Sequence, residues 1–312
     1  MRRWVRNLLY AALTAFVTGV AAFLLGGFHE LSAIRQHPAL VYWGLNFVRN
    51  SVVGIAAEGV KEPPGFTIGT TPLGVALYDR HCTKCHGAPG VAPDTFALGM
   101  MPVPPNLAGV ARDSPSNEIY WFIRNGLKMS GMPAWHLRLS EAEMWDITAT
   151  VKAIPNLSPR DWQALLQNKI EPTPADPQLP TGYQPDETRG KLALQLYGCR
   201  SCHMIPGLIG RPDVHVGPPL NEAGSRRYVA GVLAHDKGAL ARWIAHPQTV
   251  DPLSAMPDLG VPEIIAHDMA AYLYSIATHP RIGCAERPID ESEFLEQPAS
   301  VPDCVVPPSD AP

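Results

Sequence analysis

Five residues, Cys82-Thr83-Lys84-Cys85-His86, recur as Cys199-Arg200-Ser201-Cys202-His203 and divide the chain beyond its N-terminus into two similar halves. In C-x-x-C-H, two thiols share one helical turn and the next imidazole projects beside them. A c-type haem attaches to this pattern: each thiol forms a thioether to a porphyrin vinyl group, and the His faces the iron. A C-x-x-C pair can also serve as a redox dithiol or as half of a zinc site. A structural zinc would need further Cys or His pairs at ligand spacing, and a thioredoxin-like dithiol a βαβ context; the sequence offers neither. The repeat therefore predicts two covalently attached haems (iron). Cys82 with Cys85 would hold one and Cys199 with Cys202 the other, with His86 and His203 as iron ligands.

Two small haem domains fit a chain of 312 residues, given roughly 100 to 200 residues per domain. The 33 Pro and 26 Gly demand much loop. A haem domain tolerates that, because loops can wrap the apolar porphyrin. With net charge -4 and no basic stretch interleaved with aromatics, nothing points to nucleic acid.

Arg2, Arg3 and Arg6 precede 21 uncharged residues, Leu8 to Phe28. As a helix this run is about 32 Å long, enough for a hydrocarbon core of about 30 Å. The positive-inside rule keeps the arginines in the cytoplasm and exports the rest, which places both haem domains in the periplasm of a bacterial inner membrane. A cleaved signal peptide is the rival reading, but the run exceeds a signal core and is not followed by a clear A-x-A site.

After Pro38, expected at the first helical position, Leu40, Val41, Gly44, Phe47, Val48, Ser51, Val52 and Ile55 recur at helical spacing. This helix suits the bilayer surface, a partner subunit or the first haem domain. Residues 59–72 read as a connector. The first half then repeats in the second: a helix leading into the motif (Leu73 to Arg80; Lys191 to Tyr197), Pro-containing loops, a Met-Pro dipeptide and a final helix. Ser140 and Glu143 form a capping box for the final helix of the first half, and Pro262-Glu263 open that of the second. The expected boundaries are 1–29 for a transmembrane anchor, 30–69 for a juxtamembrane helix and connector, 70–170 for the first domain, 171–187 for a Pro-rich linker, 188–280 for the second domain and 281–312 for a tail.

A His-ligated haem iron has a sixth position. A Met thioether there favours Fe(II) and raises the potential, whereas an open position admits peroxide or gas. Met132 lies 50 positions after Cys82 and Met256 lies 57 after Cys199, each followed by Pro, and these two are the expected ligands. Met129, Met100 and Met101 are fallbacks in the first half and His246 in the second; Met204, adjacent to His203, cannot reach the opposite face. The other histidines are read as without a ligand role, and no residue as catalytic. Cys284 and Cys304, both exported, are expected to form a disulfide that pins the tail.

Taken together, these elements resemble a class I cytochrome c duplicated in one chain, over residues 70–155 and 188–280. The resemblance implies a mostly α fold with two tandem haem domains after one transmembrane helix. It also implies that a Pro carbonyl accepts a hydrogen bond from each proximal His. Pro218 fits the family's Gly-Pro-x-Leu pattern; Pro104-Pro105-Asn106-Leu107 lacks the Gly and makes Pro105 the counterpart. The anchored two-haem arrangement is similar to cytochrome subunits that carry electrons from a respiratory dehydrogenase or quinol-oxidising complex to a cytochrome c, another periplasmic acceptor or a terminal oxidase. The alternative is a diheme cytochrome c peroxidase, which would need a ligand-free distal side and acid/base residues facing it.

Overall fold

The computed structural model describes residues 3–25, 32–170, 179–211, 213–236 and 238–277. The chain divides into two units, Met1–Thr173 and Pro174–Pro312. Cys284 and Cys304, and with them the expected disulfide, lie outside the described residues.

In the first unit, helix α1 (Arg3–Leu25) contains a stretch, Arg3–Ala22, of mean hydropathy 1.4 that is long and apolar enough to cross a membrane. A signal sequence satisfies the same criterion. Helix α2 spans Ala39–Ala57, with Pro38 as its N-cap rather than its first helical residue. It docks by its C-terminal end only, where Val53 and Ala57 are buried.

The haem-motif half of the unit comprises α3 (Pro72–His81), α4 (Thr83–His86), α5 (Thr95–Leu98), α6 (Leu107–Asp113), α7 (Ser116–Asn125), α8 (Glu141–Ala153) and α9 (Pro159–Gln167). Local chemistry sets several boundaries. Ser140 and Glu143 make the expected capping box of α8, and Ser158 with Asp161 makes a second one at α9. Gly126, at φ 66°, ends α7. Helix α6 follows the Pro-rich loop; its start is set by Asn106, whose side chain accepts from the Ala108 N–H at 2.8 Å.

Helix α3 crosses α8 at Gly74. A Cβ there would lie 2.6 Å from Thr150 Oγ1 and 2.7 Å from the Asp146 carbonyl oxygen, so only glycine lets the backbones approach this closely. Thr71 caps α3 by accepting from the Gly74 N–H at 2.9 Å, and its hydroxyl donates to Asp146 at 3.3 Å. Below the crossing lies a core of Val75, Leu77, Tyr78, Ile123, Met144, Ile147, Val151 and Trp162. Trp162 is fully buried edge-on against Tyr78, with ring centres 5.5 Å apart.

The second unit is built on the same plan. Helix α10 (Glu187–Leu196) leads to a short 3-10 turn at Cys199–Ser201, followed by a hairpin of β1 (Tyr228–Val229) and β2 (Leu233–Ala234). Then come α11 (Ala239–Ala245), α12 (Pro247–Val250) and α13 (Glu263–Ser275). The antiparallel hairpin pairs Tyr228 with Ala234 and Val229 with Leu233; it was not foreseen, because two-residue strands leave no alternating pattern.

Helix α10 crosses α13 at Gly190, where a Cβ would lie 1.9 Å from the Asp268 carbonyl oxygen. The fully buried carboxylate of Asp268 accepts from the Tyr183 hydroxyl at 2.6 Å, the Asp186 N–H at 2.7 Å and Arg189 Nε at 2.5 Å. Burial, then the Asp268 carboxylate, pushes the Tyr183 hydroxyl up to about 12, so it remains a proton donor. Residues 183 and 186 fall within the span expected as linker, yet they pack on α13 and belong to the second unit.

Candidate haem-binding sites

Both C-x-x-C-H segments fold into a single turn closed from the first cysteine. In the first, the Cys82 carbonyl accepts from Cys85 N at 3.1 Å and His86 N at 2.9 Å. In the second, the Cys199 carbonyl accepts from Cys202 N at 3.2 Å and His203 N at 3.0 Å. All four cysteines are outside any disulfide, so their thiols are available for thioether bonds. Burial of the Cys82 sulfur, reinforced by Cys85, pushes its thiol up to about 12. Gly87 follows the first turn at φ 67°, and a Cβ there would lie 2.6 Å from the Val91 carbonyl oxygen. The Gly87 carbonyl in turn accepts a 2.7 Å hydrogen bond from the buried Tyr78 hydroxyl, which ties the core to the motif.

Each motif histidine is oriented by a proline carbonyl. His86 Nδ1 lies 2.8 Å from Pro105 O, and His203 Nδ1 lies 2.8 Å from Pro218 O. With Nδ1 protonated and donating to the carbonyl, Nε2 keeps its lone pair and becomes the ligating nitrogen. Burial lowers the His86 pKa against the opposing effect of the Pro105 hydrogen bond, and so favours the neutral, ligating imidazole. The glycine of the Gly-Pro-x-Leu pattern matters in the second unit only: a Cβ on Gly217 would lie 2.2 Å from His203 Cε1. In the first unit Pro104 stands there and the His–Pro distance is unchanged.

The two expected methionines share a local frame that the sequence reading did not single out. Ser130 Oγ accepts from the Met132 N–H at 3.2 Å, and Ser254 Oγ accepts from the Met256 N–H at 3.1 Å. The signal was legible as Ser-x-Met-Pro at 130–133 and at 254–257. Met132 is partly buried against the same core as Cys82 and Trp135, and the Trp135 ring lies 4.6 Å from that of His81, the residue before Cys82. The Met132 loop is thereby held alongside the first motif. Gly126 makes this possible, because a Cβ there would lie 2.7 Å from the Ala134 nitrogen. The described hydrogen bond of Met256 is local to its own loop.

The fallback residues are placed less favourably. Met129 is 94% exposed, and the Met100 side chain packs on Gly131. His246 Nε2 lies 3.1 Å from Glu263, and the Met204 carbonyl accepts from Leu220 N at 2.9 Å. Beside His203 opens a cavity of about 480 Å³, lined by Ile205, Leu208 and Pro219 with Arg200 and Arg211 at its edge.

These donor sets fit a haem: two cysteine thiols outside any disulfide, an imidazole with Nε2 available, and an apolar surround. When bound, the haem iron supplies one-electron exchange between Fe(III) and Fe(II). The polypeptide's part is to fix the macrocycle through its cysteines, hold the imidazole plane through Pro105 or Pro218, and keep water away.

A helical module with a C-x-x-C-H turn, a proline-oriented histidine and a closing C-terminal helix has the parts a cytochrome c domain needs. Residues 69–149 match the family model described as "Cytochrome C oxidase, cbb3-type, subunit III". That span holds α3 to most of α8, with Cys82, Cys85, His86 and Met132, so the first unit carries a cytochrome c domain, which implies covalently bound haem c. The second unit lies outside the match. A stretch of 103 residues is 30% identical to cytochrome c oxidase subunit 2 of Bacillus sp. (strain PS3), covering 31% of this chain and 26% of that protein. The chain thus spans about a quarter of the length of that relative. No solved structure matches. Together these findings support an electron-transfer role for a cytochrome c domain.

Proposed function

We propose that the chain is a membrane-anchored, two-haem c-type cytochrome. It passes single electrons from a respiratory dehydrogenase or quinol-oxidising complex to a periplasmic acceptor or a terminal oxidase, as a subunit of a larger complex. The observation that carries this reading is the matched pair of proximal sites, with His86 and His203 each 2.8 Å from a proline carbonyl. The second unit, although outside the family match, repeats the closed C-x-x-C-H turn, the oriented histidine, the Ser-capped Met-Pro loop and the glycine-mediated helix crossing. Met132 and Met256 supply the thioethers on the distal sides, and α1 holds the chain in the inner membrane. Cys284 and Cys304 form the tail disulfide.

The test is haem quantification with an absorption and redox titration of the purified protein, repeated for Met132→Ala and Met256→Ala. Two haems per chain are expected, both low-spin with His/Met ligation, each variant converting one of them. A wild-type high-spin or bis-His haem would overturn the methionine ligands and favour a peroxidase; a single haem would overturn the second site.

A further inference from the structure

Helix α2 is amphipathic in the inverted sense. Val53 and Ala57 are buried, and the Ala57 carbonyl accepts from Asn117 Nδ2 at 2.9 Å, so this side faces the first unit. Asn46 lies on the packed side, Arg49 and Asn50 flank it, and Arg49 donates to Asn50 Oδ1 at 2.9 and 3.1 Å. At 3.6 residues per turn, Phe47, Leu40, Ile55, Val48, Val41, Val52 and Leu45 share the opposite face over an arc of roughly 160°. Those side chains are exposed, Leu40 by 85%, Phe47 by 72% and Ile55 by 71%. Gly44 and the small polar Ser51 are the other residues in this arc, and so largely apolar a face pointing away from its own domain needs an apolar occupant.

We infer that α2 lies in the membrane interface, with this face buried among the acyl chains and the first unit held against the bilayer by it. The inference rests on reading α1 as a membrane anchor. Only residues 26–38 separate the end of α1 from the start of α2, and their fully extended reach is about 45 Å. The anchor therefore keeps α2 near the bilayer surface. The composition of the helix agrees with a lipid occupant. The apolar face has no charge, and Tyr42 and Trp43 flank it with amphipathic rings of the kind favoured at the lipid–water boundary. Arg49 is the one charge on the helix and lies toward the side, where its stem can extend to the headgroups. Spanning the bilayer is not open to α2, because Asn46, Arg49 and Asn50 fall at mid-helix and its C-terminal end is fastened to α7. Such a clamp removes one rotational freedom of the first unit and fixes which side of its haem site faces partners in the membrane.

The test is photocrosslinking of the full chain in its native membrane, with p-benzoylphenylalanine introduced singly at Phe47, Ile55, Asn50 and, as a separate probe of the anchor, Phe16. Several-fold more lipid adduct at Phe47 and Ile55 than at Asn50 is expected, detected as lipid mass on the corresponding peptide. Protein adducts at Phe47 and Ile55, or labelling no stronger than at Asn50, would overturn the inference. Lipid adducts at Phe16 in that case leave the anchor reading standing, whereas their absence at Phe16 removes the anchor independently of the outcome at α2.

Discussion

The alpha carbon of Gly190 sits so close to Asp268 that a Cβ on it would lie 1.9 Å from the Asp268 carbonyl oxygen and 2.4 Å from the carbonyl carbon. Helix α10 thus touches α13 backbone to backbone, and the obstacle is a main-chain group that no rotamer change can move. An exposed helical Gly→Ala change ordinarily stabilises by about 1 kcal/mol. Gly190→Ala is expected to reverse that sign and destabilise by about 1–3 kcal/mol through overpacking. Gly74→Ala is expected to do the same with a smaller loss, since its main-chain obstacle, the Asp146 carbonyl oxygen, lies farther off at 2.7 Å. Thermal melts of the two variants decide the order; a Gly190→Ala protein as stable as the wild type would contradict the crossing.

Beside that contact, Asp268 gathers three donors, from Tyr183, Asp186 and Arg189. Removing a buried charge partner leaves the others unpaired, which typically costs about 3–5 kcal/mol. Asp268→Ala is expected to lose on that order. Asp268→Asn should lose less, because its carbonyl can still accept from Tyr183 and Asp186, although its amide sets donor against donor at Arg189. Denaturant titration of the two variants measures the difference, and equal losses would show that the Tyr183 and Asp186 hydrogen bonds add nothing beyond the Arg189 ion pair.

Why some of this was legible in the sequence and some was not follows from the range of the interactions. The capping boxes at Ser140 and Ser158, the glycine stop at Gly126 and the C-x-x-C-H turns are local, each set within a few residues. Gly74 and Gly190 carry no local signal, since a helical glycine announces a close approach only once the other helix is known. They lie 8 and 9 positions before the first cysteine of their motifs, a coincidence visible only with both halves in register. Pro105 was identifiable by its place after the motif even without the preceding glycine, because the hydrogen bond uses a backbone carbonyl. Tyr183 was hidden for the opposite reason: it stands in a proline-rich stretch whose composition reads as spacer, and its partner Asp268 is 85 residues away.

Asp146 gives the first unit a pH signature. Burial raises its pKa above 3.8, against the hydrogen bond from Thr71. The folded state therefore holds the proton more tightly than the unfolded chain does. Stability is greatest below the unfolded value and falls as pH rises through the folded pKa, leaving a cost at neutral pH. Asp146→Asn retains a carbonyl to accept from Thr71 and removes the charge. It is expected to be more stable than the wild type at pH 7, with the advantage vanishing near pH 3. Melting temperatures across that range check it, and a variant less stable at pH 7 would show that the carboxylate's hydrogen bond outweighs its desolvation.

Gly217 and His203 provide the sharpest test of the second proximal site. A Cβ at 217 would approach the imidazole at 2.2, 2.6 and 2.8 Å from Cε1, Nδ1 and Nε2, so the ring must move or the loop must open. Either response breaks the 2.8 Å contact between His203 Nδ1 and Pro218 O. Without that acceptor the Nδ1–H no longer enriches the ring's electron density, and the histidine becomes a weaker ligand. Gly217→Ala is expected to shift the potential of the second haem upward while leaving the first haem's spectrum and potential as in wild type. Pro104→Gly supplies the reciprocal arm. His86 already reaches Pro105 O at 2.8 Å with proline at that position, so restoring the glycine should leave the first haem's potential unchanged. A potentiometric titration resolving two components measures both variants. An unchanged second component in Gly217→Ala would mean that His203 does not depend on the Pro218 carbonyl for its ligand strength.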